Sequence, residues 1–142
     1  MFPPANIDRE LAKRGRPGVW AYGVIAALVV FATPIYAQQP LLGASYVGGA
    51  LLIGLARWLV VRRFDARYDA DPRRWRLIYA VTTLAAAALF GGVSAVLLLR
   101  YRTSWTSLVV LLSCAGVQAG ATVSLAPLRR LLLAYLALMD GP

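Results

Sequence analysis

The chain has 142 residues, with 15 Lys and Arg against six Asp and Glu and no His, for a formal charge of +9. Sixty per cent is hydrophobic and 15% charged, whereas a soluble domain carries roughly 45–50% and about 25%. The charge sits in short clusters between long uncharged apolar runs, which excludes an ordinary soluble globule and marks a polytopic membrane protein. A nucleic-acid-binding domain spreads its cations over a polar surface, so no nucleic-acid partner is expected.

Residues 1–18 are polar and contain Arg9, Lys13, Arg14 and Arg16 against Asp8 and Glu10; they read as a cytoplasmic N-terminal segment. Four apolar runs follow, at 19–36, 41–61, 77–99 and 105–125. Each is close to the roughly 20 residues that cross about 30 Å of hydrocarbon as a helix. None shows the period-2 alternation of a membrane strand. The expected fold is therefore all-α: four transmembrane helices over 19–125, arranged as two hairpins and joined on one side by the basic loop 62–76. Residues 126–142 are a juxtamembrane segment or the start of a fifth helix. The apolar stretch Leu131–Met139 is too short to span, and the finish at Asp140-Gly141-Pro142 reads as a truncation.

Thirteen of the 15 Lys and Arg fall in the N-terminal segment, at Arg57, in loop 62–76 or at Arg129 and Arg130; only Arg100 and Arg102 fall on the other side. By the positive-inside rule both ends are cytoplasmic, in a bacterial inner membrane. Trp20, Trp58 and Trp75 are expected at the inner interface and Tyr36, Tyr101 and Trp105 at the outer one. Arg57, about one turn from the end of its run, either snorkels to the headgroups or is a functional buried cation. The first run also has signal-peptide features, with a cleavage site after Ala37.

Small residues four apart predict close helix packing: Gly48, Gly49 and Gly54 in the second run, Gly91 and Gly92 in the third, and Gly116 and Gly120 in the fourth. They serve the bundle itself or a homodimer face. Gln118, with Thr82 and Thr83, is the candidate intramembrane polar site, as structural glue or as the wall of a small-ligand pocket. In loop 62–76, Asp71-Pro72 has the form of a helix start, yet Arg67 and Asp71 also suit a continuous helix at i,i+4. The Arg surplus would hold anionic lipid headgroups or dock a cytoplasmic domain.

Without His there is no imidazole base or ligand. The single Cys114 lies in an apolar run, where it behaves as a small hydrophobe. No Asp or Glu lies inside a run, and no phosphate-binding glycine loop is present. Neither enzymatic activity nor a cofactor or metal is expected.

The pattern Arg62-Arg63-Phe64-Asp65, Tyr68, Asp71-Pro72 and Trp75, continued by Ser104-Trp105-Thr106 and by Ser124 through Pro127, resembles the N-terminal transmembrane sensory region of bacterial sensor histidine kinases. The resemblance implies a sensory or anchoring module that passes helix movement to cytoplasmic signalling domains. Kinase activity does not carry over, because the phospho-accepting His and the domains around it are absent from this sequence. The alternatives are a free-standing protein that scaffolds or regulates a membrane complex, and a transport subunit.

Overall fold

The computed structural model describes residues 4–62 and 64–140, and every element among them is helical. The order is α1 (Pro4–Phe31), α2 (Ile35–Gln38), α3 (Pro40–Arg62), α4 (Phe64–Ala70), α5 (Pro72–Tyr101), α6 (Trp105–Leu125) and α7 (Arg129–Asp140). Three of them, α3, α5 and α6, are long and apolar enough to cross a membrane. Only 33%, 39% and 28% of their most apolar windows are buried inside the bundle. Outward-facing residues such as Leu52, Leu99, Leu112 and Val123 leave large apolar side chains exposed, as a lipid-facing surface requires and an aqueous one does not tolerate.

The first run departs from a single span over 19–36. Helix α1 begins in the polar segment, passes through Pro17, and stops at Phe31. Proline disfavours helical backbone at the residue before it and lacks an N–H; Pro34 accordingly ends one helix and caps the short α2. The N-terminal segment is part of the fold. Leu11, Ala12 and Asp8 are buried, and Gly15 lies against Val61 and the Tyr79 ring. Glu10 and Arg14 pair at 3.0 Å one turn apart on its exposed side.

The competition at Asp71 is resolved in favour of a new helix. Asp71 is extended, and its Oδ1 accepts from the backbone N–H groups of Arg73 and Arg74, each at 3.0 Å. Pro72 occupies the first turn, where its missing N–H costs nothing. Helix α5 thus starts five residues before the apolar run it contains. Helix α6 keeps the bounds of the fourth run and is capped by Ser104.

Helices α1, α3, α5 and α6 close a ring, each packed on the next, and α7 lies against α5 and α6. Helix α7 is 12 residues long, about 18 Å at 1.5 Å per residue and so too short to span. After the turn at Pro127 it runs back beside α6, burying Tyr135 and Met139 on one face. It crosses α5 at Gly91, where a Cβ would lie 3.0 Å from the Met139 Cα and closer still to the Leu138 carbonyl oxygen. Only glycine permits that backbone approach.

Candidate functional site

Arg57 does not reach out to the interface. Its side chain points into the bundle and is only 4% exposed, with tyrosines from two other helices around the guanidinium. Nη2 donates to the Tyr79 hydroxyl at 3.1 Å and Nη1 donates to the Tyr22 hydroxyl at 3.4 Å. The guanidinium carbon lies 5.0 Å from the Tyr79 ring centre and 5.8 Å from that of Tyr22. The described ion pairs, Glu10–Arg14 and Asp8–Arg76, do not involve it. Its Nε–H has no acceptor, and α7 contributes a further buried tyrosine, Tyr135.

A buried cation without a counter-charge is expensive. The two cation–π contacts return about 0.5–2 kcal/mol each, and the hydroxyl acceptors are neutral. Beside Arg57 a cavity of about 110 Å³ lies between α1 and α6, lined by Tyr22, Arg57, Gly116, Val117, Gly120 and Ser124 among others. Arg14 stands on its wall too, paired with Glu10.

From Arg57 a run of direct contacts leads to the basic loop. The Tyr79 ring stacks on Trp75 with centroids 5.2 Å apart. Trp75 meets Phe64 and Tyr68 edge-on at 4.9 and 5.9 Å, and Phe64 stacks on Tyr68 at 4.9 Å. The Tyr68 hydroxyl donates to Asp8 Oδ2 at 2.7 Å, and that bond chiefly raises the phenol's pKa above its usual value. Arg76 Nε donates to the same oxygen at 2.7 Å. Asp8, 2% exposed, therefore ties α1 to both α4 and α5.

The sequence-predicted residues divide among these features. Tyr68 and Trp75 belong to the contact run, where Trp75 is buried; Trp20 and Trp105 are exposed. Asp71 and Pro72 form the cap, and Arg62 lies over the Trp58 ring at 4.6 Å. Arg63 and the side chain of Asp65 lie outside the described residues. Gly91 is at the α5–α7 crossing, Gly49 touches the Leu89 side chain, and Gly54 is buried in α3. At Gly48, Gly92, Gly116 and Gly120 an added Cβ would meet nothing within 4 Å. Gly116 and Gly120 line the cavity where tight packing is expected of them.

The predicted polar group is not assembled. The Thr82 and Thr83 hydroxyls donate to backbone carbonyls of their own helix. Gln118 instead donates to the carboxylate of Asp140. Asp140 lies outside every run in sequence, and α7 folds back beside α6 and brings its exposed carboxylate to Gln118. Tyr22, Tyr79 and Tyr135 belong to no motif in the sequence. The available signal was a set of tyrosines inside or beside apolar runs, each needing a partner for its hydroxyl.

No protein-family model, curated protein or solved structure matches the chain.

Proposed function

We propose that this chain is a sensory and anchoring module of a bacterial inner membrane, N-in and C-in, that converts an event at the Arg57 cluster into movement of its cytoplasmic elements. The observation that carries the proposal is the unbroken contact run Tyr22–Arg57–Tyr79–Trp75–Tyr68–Asp8. It joins a membrane-embedded cation to the loop whose pattern resembles the sensor kinases, and it ties together α1, α3, α4 and α5. In this reading α1 and α2 together form the fourth crossing, Trp20 and Trp105 mark opposite interfaces, and the exposed Arg129 and Arg130 hold anionic headgroups. The module binds no nucleic acid and catalyses no reaction; its output is displacement, delivered to a cytoplasmic signalling domain or a second copy.

The test is a distance measurement between spin labels on cysteines placed at the exposed Asp69 and Arg129, with Cys114 replaced by Ala, in lipid bilayers. Tyr79→Phe is expected to shift or broaden the distance distribution. An unchanged distribution in a folded variant would sink the proposal.

A second reading, a transport subunit, draws support from Asp140 at Gln118, since a carboxylate among apolar helices is a usual element of ion pathways. Substrate flux that is unaltered by Gln118→Leu would exclude it.

A further inference from the structure

We infer that the cavity between α1 and α6 is a binding site for a single-chain amphiphile with a carboxylate head, such as a long-chain fatty acid drawn from the surrounding bilayer. The inference names the occupant of the cluster on which the proposed sensing role rests, and binding is read separately from any movement it causes.

Four observations converge on this class of ligand. The first is charge. Arg57 is 4% exposed, is held by two neutral hydroxyls, and keeps an Nε–H without an acceptor. A planar oxyanion matches the guanidinium fork and supplies the counter-charge that the protein leaves out. The second is size. At about 110 Å³ the space is smaller than the ~150 Å³ cavity that accepts a benzene ring. A carboxylate and its first methylenes fit, whereas a glycerophosphate head with two chains does not.

The third is access. Gly116 and Gly120 line the cavity and are themselves exposed, so the cavity is open along this part of α6. The wall between cavity and lipid is therefore made of residues without side chains, and a chain can lie across it. From Ser124 to Gly116 this wall runs about 12 Å along α6, parallel to the acyl chains of the leaflet. The fourth is vacancy of another kind: a Cβ at Gly116 or Gly120 would meet no atom within 4 Å. These glycines keep space open rather than bringing two helices together.

The geometry places the carboxylate at Arg57, within reach of the Tyr22 hydroxyl as a second donor, with the chain leaving past Gly120 and Gly116 into the bilayer.

The experiment uses the full chain in nanodiscs of zwitterionic lipid at alkaline pH, with a long-chain fatty acid carrying a photoreactive diazirine. Crosslinked peptides are mapped by mass spectrometry. Labelling of α1 and α6 around Tyr22 and Gly116–Gly120 is expected, with oleate competing at least tenfold more strongly than methyl oleate, which has the same chain without the charge. Arg57→Gln is expected to reduce labelling at this site at least fivefold while labelling of the outward face of α5 stays unchanged. Gly120→Leu fills the space without touching Arg57 and is expected to do the same, which guards against a folding defect in the Arg57 variant. Equal competition by methyl oleate, undiminished labelling in Gly120→Leu, or competition by dioleoylphosphatidylglycerol as strong as that of oleate would each overturn the assignment. Labelling that follows the expected pattern while the Asp69–Arg129 distance stays fixed would leave the binding site standing and remove the sensing role.

Discussion

The Tyr79 hydroxyl accepts a hydrogen bond from Nη2 of Arg57 at 3.1 Å while the other face of the same residue's environment is the stacked Trp75 ring, 5.2 Å away. One side chain thus touches both the buried cation and the aromatic group beside the basic loop. Charge and packing meet at a single residue, which makes its two contributions separable by substitution.

Tyr79→Phe keeps the ring and removes the acceptor. The expected loss is about 1–3 kcal/mol, the range for leaving a buried donor unsatisfied, measured by denaturant unfolding in detergent micelles. Tyr22→Phe removes a longer bond, 3.4 Å, and is expected to cost less. Equal losses would mean that the two tyrosines share the cation evenly.

Gly91→Ala should release α7. Its Cβ would press on the backbone of Leu138 and Met139, which cannot swing aside as a side chain does. Faster amide exchange over 129–140 is the expected outcome, whereas Gly92→Ala, facing open space, should leave exchange unaltered. Slow exchange in both variants would contradict the close crossing.

Asp71→Ala removes the acceptor for two backbone N–H groups at the start of α5. A cost of about 0.5–2 kcal/mol is expected, with fraying confined to the first turn. Asp71→Asn should recover most of it, and a failure to do so would locate the effect in charge and not in the cap.

The Tyr68 phenol is held above its usual value near 10, chiefly because it donates to Asp8. A group whose neutral form is favoured by folding contributes stability that is complete below the ordinary phenol range and is lost as pH rises through the raised value. The alkaline absorbance difference between the wild-type chain and Tyr68→Phe reports this titration. In an Asp8→Asn background it should move toward lower pH; no movement would show that the hydroxyl and the carboxylate are not joined.

Several elements were legible from residue order. The α6 bounds follow from an uncharged run framed by Ser104 and Pro127, and the α5 start from Asp71-Pro72, because caps are local chemistry. What escaped depended on tertiary partners. Arg57 could face lipid headgroups or the core, and only the tyrosines on α1 and α5 decide between them. Gly116 and Gly120 have the spacing of a packing motif, yet spacing alone does not distinguish a helix brought close from a space kept open. Asp140 lies outside every apolar run, and its place beside Gln118 comes from α7 turning back on α6. Residues 4–18 look like a polar tail until Asp8 finds Tyr68 and Arg76 some 60 positions away.

The central claim is that the Arg57 cluster and the Tyr68–Asp8 contact at the basic loop are energetically joined, and a double-mutant cycle of Tyr22→Phe and Tyr68→Phe tests it most directly. The two tyrosines share no contact among the hydrogen bonds and ring pairs described, and distant independent sites add to within about 0.3–0.5 kcal/mol. A coupling above that range, abolished when Tyr79 is replaced by Leu, is the predicted result. Additive losses in the presence of Tyr79 would contradict the account.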